Sequence, residues 1–160
     1  MTTVKAVKAR RVGAAARWIG IWLCGIALLC VFPTPSRSED AGVARALVIG
    51  IDAYAGVPKL NGAVNDAKSM SKLLIEKLGF AAQNVRVITN GEATRKGMLD
   101  ALTKLAESVG SDDTVLVFYA GHGSQVRDLN ADETQDQKDE TLVPQDGRTA
   151  GVADITDDEL

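Results

Sequence analysis

Cysteine and histidine are scarce in this chain of 160 residues. The two cysteines, Cys24 and Cys30, both lie in one apolar segment near the N-terminus, and His122 is the single histidine. Residues 39–160 therefore contain no thiol that could form a disulfide or a thiolate metal site.

Aromatic side chains are also few, at 4% of the sequence, although 46% of the residues are hydrophobic. A core with so few rings has to be built mainly from valine, isoleucine, leucine and alanine. These residues are typical of a parallel sheet that is buried on both faces. The length and a charged fraction of 24% indicate one globular domain with a short attached segment.

The sequence has no excess of positive charge outside its N-terminal segment. Residues 39–160 carry 12 basic and 21 acidic side chains, a net charge of −9, and residues 128–160 alone carry 2 basic and 11 acidic ones, again −9. The body of the domain is therefore neutral. An acidic segment would be repelled by phosphates, so we expect no nucleic-acid partner.

The first 38 residues have the pattern of a secretory signal peptide. A basic region is followed by residues 18–32, which are uncharged, and by small residues around a predicted cleavage point after Ser38. Fifteen apolar residues rise only about 22 Å as a helix, less than the roughly 30 Å of a bilayer core. We expect an exported protein with residues 39–43 as a linker; the alternative is an uncleaved anchor, in which case the protein contacts a membrane only through this segment.

The hydrophobic periodicity of the next eighty residues alternates between strand and helix patterns. This order, with long crossovers, predicts a parallel sheet with helices on its faces. The predicted elements are a strand at 44–51, a helix at 63–78 stopped by Gly79, a strand at 84–89, a helix capped by Thr94 and running to about residue 109, and a strand at 114–119.

Beyond residue 127 the pattern predicts an acidic loop, a short strand at 140–143 and a last segment at 155–160. In that last segment Thr156 and Glu159 have the spacing of a helical capping box. The sequence stops before such a helix is built, so we expect a domain that is incomplete at its C-terminus.

His122 lies between two glycines directly after a predicted buried strand, in TVLVFYAGHGSQ. Ligands of open parallel sheets bind at the carboxyl ends of the strands. Histidine is also the side chain whose ordinary pKa suits proton transfer near neutral pH. This position favours an acid–base role, and a structural histidine at a strand end is the alternative.

Several motifs in order resemble the large-subunit (p20) region of caspase-like cysteine peptidases, in the metacaspase and orthocaspase branch of peptidase family C14. They are ALVIGIDAY, TVLVFYAGHGSQ, KDETLVPQD and ITDDEL, and the resemblance runs from about Ala44 to Leu160. It implies the three-layer caspase-like fold, a mainly parallel sheet flanked by helices. It also implies a cysteine endopeptidase acting on proteins, with His122 as general base and the backbone amide of Gly123 binding the oxyanion.

The nucleophile that the resemblance implies is missing. In caspases the cysteine and histidine are about 50 residues apart in sequence, and the chain continues for only 38 residues past His122. A histidine without the thiolate cannot perform covalent catalysis. We therefore expect the nucleophilic cysteine beyond Leu160; the alternative is an inactive caspase-like module that binds partners or peptides.

The resemblance also implies a substrate preference. Asp66 stands where the metacaspase branch has an acidic pocket residue, which would attract arginine or lysine at the cleaved position. Ala120 stands where some relatives carry serine, so one hydrogen bond of that pocket would be absent. From the residues alone, Asp66 can equally be a carboxylate that stabilises the first turn of a helix.

Calcium is the one cofactor that the resemblance suggests, although the chemistry itself requires none. Asp139, Asp157 and Asp158 match positions of calcium-activated metacaspases, and carboxylate oxygens are suitable Ca²⁺ ligands. The spacing of Asp128, Asn130 and Asp132 partly follows an EF-hand loop, but Glu133 occupies the place that needs glycine. A solvated acidic loop is the alternative.

Overall fold

The computed structural model describes residues 42–127 and 138–160. The predicted signal peptide or anchor, residues 39–41 of the predicted linker and the aspartates of the partial EF-hand spacing lie outside these residues. In the two described ranges, no helix is long and apolar enough to cross a membrane.

A three-stranded parallel sheet forms the centre of the domain. Its strands are β1 (Ala44–Gly50), β2 (Val85–Thr89) and β3 (Thr114–Ala120), in the order β2-β1-β3. β1 is central because its residues pair on both sides; Leu47, for example, lies opposite Arg86 and Val117. Its burial on both faces explains the near-continuous apolar run in the sequence.

One helix covers each face of this sheet. β1 alternates, so that Ala46 and Val48 pack in the cluster that includes Ala67 and Leu74 of α1 (Ala63–Glu76), on one face. Leu47 and Ile49 pack on the other face, in the cluster that includes Met98 and Ala101 of α2 (Arg95–Glu107). The predicted α/β architecture with helices on both faces of a parallel sheet is confirmed.

The helix ends follow the predicted signals within two residues. Thr94 caps α2 by accepting a hydrogen bond from the Gly97 amide at 3.1 Å. Gly79 has a φ of 75°, the left-handed conformation that suits glycine after a helix. The Phe80 amide then donates to the Leu74 carbonyl at 3.0 Å, which returns the chain to the sheet.

A second, antiparallel sheet follows β3 directly. It consists of β4 (Gly123–Arg127), β5 (Lys138–Leu142) and β6 (Ile155–Thr156), with β5 in the middle. β4 was not predicted, because its sequence GSQVR is polar and four of its five residues are exposed. β5 begins two residues before the predicted strand.

The segment after β6 is a short 3₁₀ turn at Asp157–Glu159. The predicted capping box is present, and the Thr156 amide donates to the Glu159 carboxylate at 3.2 Å. The cap therefore starts a helical turn, as the sequence indicates.

Candidate active site

The carboxyl ends of the three parallel strands meet at one edge of the sheet, and polar side chains join them there. Asn90 follows β2, and its Oδ1 accepts the amides of Asp52 and Ala53 at 2.9 and 3.0 Å. Asn90 has a φ of 43°, which asparagine tolerates better than most residues. The loop after β1 is thus fixed to the end of β2.

Asp52, at the end of β1, holds the start of α1. Its Oδ1 and Oδ2 accept the amides of Ala63 and Val64 at 2.8 and 3.2 Å. The residue before the helix, Gly62, has no side chain with which to cap it. A carboxylate eleven residues away therefore takes the place of the local cap and is favoured there by the helix dipole.

The loop between Asp52 and α1 supplies two groups to the site, and Gln145 fastens it. The Gln145 side chain donates to the Ala53 carbonyl at 3.0 Å, and the Ala55 amide donates to the Gln145 carbonyl at 2.9 Å. The segment after β5 therefore helps to position this loop.

His122 lies at the carboxyl end of β3 and is half-buried. Its Nε2 is 2.8 Å from the carbonyl oxygen of Pro58. A carbonyl can only accept, so Nε2 has to carry the proton of the neutral imidazole. Nδ1 is then the nitrogen that can take up a proton, as a general base requires. The Tyr54 ring packs against the imidazole, with centroids 4.8 Å apart.

The His122 backbone is held by two tyrosine hydroxyls. The His122 amide donates to the Tyr54 hydroxyl at 2.8 Å, and the hydroxyls of Tyr54 and Tyr119 are 3.1 Å apart. The Tyr119 hydroxyl lies 2.8 Å from the carbonyls of both His122 and Val143. Burial raises the pKa of both phenols, and that of Tyr119 most strongly. Both hydroxyls are therefore neutral near neutral pH, and each can donate as well as accept a hydrogen bond.

Gly123 begins β4, immediately after His122. The Val143 amide donates to the His122 carbonyl at 3.0 Å, and Gly123 pairs with Leu142 in the next position. Hydrogen-bonded and non-hydrogen-bonded pairs alternate along an antiparallel ladder. The Gly123 amide accordingly points away from β5, where it can donate to a ligand beside His122.

The two residues predicted for substrate binding differ in exposure. Asp66 is exposed in the first turn of α1, whose start is fixed at the carboxyl end of β1. Ala120 is fully buried in the cluster under α1, and its carbonyl accepts the Ile51 amide at 3.0 Å. Their roles toward a substrate stay predictions.

The three aspartates predicted for calcium lie in the antiparallel sheet and the turn after it. Asp139 is buried in β5, which contacts the turn that contains Asp157 and Asp158. Across residues 42–127 and 138–160, no group of three or more histidine, cysteine, aspartate or glutamate side chains is arranged to hold a metal ion. The calcium assignment stays a prediction.

Sequence reasoning did not find the partners of His122. The Pro58 carbonyl is a backbone group 64 residues away, so no pattern of side chains in the sequence predicts its contact with His122. Tyr54 and Tyr119 are the only tyrosines of the chain, and both end beside the single histidine. That coincidence is the one sequence signal that could have pointed to them.

The fold and the site define an α/β domain with one histidine at the carboxyl edge of a parallel sheet, Nε2 bound to a backbone carbonyl and Nδ1 able to accept a proton. The chain belongs to the metacaspase, peptidase C14 domain family, whose model matches residues 44–160. The predicted resemblance is confirmed. This is a family of cysteine peptidases.

Individual relatives agree with this assignment. The chain is 38% identical to metacaspase-1 of Schizosaccharomyces pombe, over 77% of this chain and 30% of the relative. It is also 38% identical to metacaspase-1 of Arabidopsis thaliana, over 80% and 36%. A solved structure of a Geobacter sulfurreducens protein matches with a TM-score of 0.58 at 34% identity, over 73% of this chain and 42% of that one. The chain thus spans about a third of these curated relatives.

Proposed function

We propose that this chain supplies the histidine half of a caspase-like cysteine endopeptidase, in which His122 is the general base. The observation that carries the proposal is the hydrogen bond from His122 Nε2 to the Pro58 carbonyl, which leaves Nδ1 as the basic nitrogen. The protein substrates follow from the peptidase family. The nucleophilic cysteine is assigned to sequence beyond Leu160.

In the first step, Nδ1 of His122 takes the proton of the cysteine thiol. The thiolate sulfur attacks the carbonyl carbon of the scissile peptide, and the C=O electron pair moves onto oxygen. The Gly123 amide, which points away from β5, donates to this oxyanion. The Pro58 carbonyl stabilises the imidazolium because it accepts the hydrogen bond from Nε2–H throughout the reaction.

In the second step, the oxyanion collapses and the C–N bond breaks. His122 returns the Nδ1 proton to the leaving amine, so that the new N-terminus departs neutral. Water, deprotonated by the same nitrogen, then adds to the thioester carbonyl and releases the thiol and the new carboxyl group. His122 is therefore base and acid in turn.

An inactive caspase-like module is the second candidate. Residues 39–160 contain no cysteine, so these residues by themselves offer a ligand only non-covalent contacts. Such a module would keep the histidine-centred edge as a binding surface without forming a thioester.

Arginine or lysine at the cleaved position is the proposed preference. Asp66 is exposed near the carboxyl edge of the sheet, and residues 128–160, which follow β4, carry a net charge of −9. Both features create a negative potential that attracts a basic side chain. Ala120 offers no hydroxyl there, so Asp66 would act without that second polar partner.

The experiment uses the longest open reading frame that contains this sequence and a downstream cysteine, assayed on peptides ending in Arg, Lys or Asp. His122→Ala should lower kcat/KM at least about a thousandfold, as loss of a residue of a nucleophile–base pair does. Asp66→Asn should raise KM for Arg peptides, while Asp100→Asn, an exposed helix carboxylate elsewhere, leaves it unchanged. Activity that survives His122→Ala, or a preference for Asp peptides, would refute the respective assignment.

Calcium binding and export complete the proposed function. Calcium binding is proposed for Asp139 in β5, which contacts the turn that contains Asp157 and Asp158, because carboxylate oxygens are suitable Ca²⁺ ligands. Isothermal titration with Ca²⁺ should show binding that Asp158→Ala weakens, and equal binding by the variant would oppose the assignment. Export is supported by residues 1–38; a fusion of these residues to an export-dependent reporter tests it.

A further inference from the structure

The strand pairing beside His122 contains an irregularity. Continuing the β4–β5 register by one residue places His122 opposite Val143, and the Val143 amide does donate to the His122 carbonyl at 3.0 Å. A regular antiparallel pair would also have a bond from the His122 amide to the Val143 carbonyl. That bond is replaced, because the His122 amide donates to the Tyr54 hydroxyl instead.

Two tyrosine hydroxyls complete the missing bond as a relay. The Tyr119 hydroxyl has one proton and faces two carbonyls, those of His122 and Val143, at 2.8 Å each. It has to donate to them, so it accepts from the Tyr54 hydroxyl at 3.1 Å. The direction therefore runs from the His122 amide through Tyr54 to Tyr119, whose single proton is shared between the carbonyls of Val143 and His122.

Gly121 makes room for this relay. A β-carbon at Gly121 would clash with the hydroxyls of both tyrosines, so only glycine allows them to approach the backbone this closely. The relay is also well buried, with Tyr54 5% and Tyr119 2% exposed. Water does not compete readily with hydrogen bonds in such a place.

We infer that Tyr54 and Tyr119 are positioning residues that orient the His122 peptide, so that Nε2 meets the Pro58 carbonyl and Nδ1 faces the reacting thiol. This inference rests on the proposed function for its catalytic consequence. The relay replaces the direct bond from the His122 amide to the Val143 carbonyl with a path through two hydroxyls, so the two tyrosines, and not the ladder alone, set the orientation of the His122 peptide. Neither tyrosine touches the substrate in this role; both act through the histidine.

The first test needs no activity, because the whole 160-residue chain has a single imidazole to observe. NMR would follow the His122 amide exchange rate and the ¹⁵N shifts of its ring. In Tyr54→Phe, loss of the acceptor should speed exchange of this amide about five- to tenfold relative to the β1 amides. In both Tyr54→Phe and Tyr119→Phe, the population of the Nε2–H tautomer of the His122 ring should fall.

Thr141→Val is the matched control for these variants. Thr141 is 3% exposed and donates a hydroxyl bond to Asp154 at 3.1 Å, so its replacement removes a similarly buried hydroxyl without touching His122. It should leave the His122 amide and tautomer unchanged. If Tyr54→Phe changes all amides equally, or changes the His122 signals no more than Thr141→Val does, the positioning inference is wrong.

The second test uses the cysteine-bearing protein. Both Tyr→Phe variants should lower kcat about ten- to a hundredfold and leave KM unchanged, as expected when a catalytic group is displaced by a fraction of an ångström. A raised KM with an unchanged kcat would overturn the inference. If the wild-type protein has no peptidase activity, only the proposed function fails, and the NMR comparison still decides the role of the tyrosines.

Discussion

The carboxyl ends of β1 and β3 lie side by side, yet different chemistry orders them. At the end of β1, the Asp52 carboxylate holds the backbone by accepting two helix amides. At the end of β3, the neutral hydroxyls of Tyr54 and Tyr119 hold it. A carboxylate suits a helix start because of the helix dipole, whereas the hydroxyls that hold the His122 backbone place no charge beside it. A carboxylate thus orders the β1 end, and two buried hydroxyls order the β3 end.

The largest effect is expected at the β1 end, for Gly50→Ala. A β-carbon there would lie 2.6 Å from Ala67 Cβ and 2.7 Å from the Ala63 carbonyl oxygen. Because α1 backbone is in the way, the free energy of unfolding should fall by about 3 kcal/mol, at the upper end of overpacking costs. Urea denaturation measures it. Gly91→Ala, which meets nothing within 4 Å, is the control, and an equal loss in both variants would contradict the steric account.

Asp52→Ala should have the next largest effect. The substitution removes both acceptors of the α1 amides and is expected to cost about 2 kcal/mol in unfolding free energy, as for a strong cap. Asp66→Ala removes a carboxylate from the same helix turn, where its expected contribution is a favourable interaction with the helix dipole. This substitution should lower the free energy of unfolding by about 0.5 kcal/mol. Similar losses for the two variants would show that Asp52 acts by charge alone.

Gly121→Ala should be milder than Gly50→Ala, at about 1.5 kcal/mol, because the obstructing atoms belong to side chains. The same substitution in a Tyr54→Phe/Tyr119→Phe background should cost less, since both hydroxyls are gone. A double-mutant cycle on unfolding free energies measures this coupling. Additive effects would show that the cost of Gly121→Ala does not come from a clash with the two hydroxyls. The explanation given for its lower cost than that of Gly50→Ala would then be wrong.

The smallest effect on stability is expected for a substitution of Asp113, which precedes β3 at the opposite edge of the sheet. The Gly110 and Val43 amides, followed by the Arg45 guanidinium, hold the pKa of the Asp113 carboxyl below its ordinary value. Because the folded-state pKa is the lower one, the stabilisation is present above the unfolded-state pKa of about 4 and is lost as the pH falls below it.

Asp113→Asn should therefore be less stable than the wild-type chain at pH 7, and the difference should shrink between pH 5 and pH 3. Thermal unfolding across this range measures it, with Asp112→Asn, the exposed neighbour, as the control. A difference that does not change with pH would rule out the carboxylate as its source.

The parallel sheet was predictable because local patterns specify it. β1 is apolar on both faces, the helix stripes repeat every three or four residues, and Thr94 and Gly79 mark helix ends by their own conformational preferences. The position of His122 at a strand end followed from the same patterns. Its chemistry needed the resemblance to a family as well.

The partners of His122 were not predictable, because they depend on contacts between distant segments. Tyr54 and Pro58 lie 68 and 64 residues from His122, and Pro58 contributes only its carbonyl. β4 was not predicted for another reason. Its exposed, polar residues pair with β5 through backbone hydrogen bonds, which leave no hydrophobic pattern in the sequence. Propensity describes a segment, whereas these features are properties of the assembled edge.

The two tyrosines also determine how the domain absorbs and emits light. Tyr54 and Tyr119 are the only tyrosines of the sequence. Because Trp18 and Trp22 both lie in the N-terminal segment, residues 42–160 contain no tryptophan. Both phenols are hydrogen-bonded in the relay beside the imidazole. Tyrosine fluorescence would therefore report only on the immediate surroundings of His122. The two tyrosines are in this way an intrinsic fluorescent probe of the site.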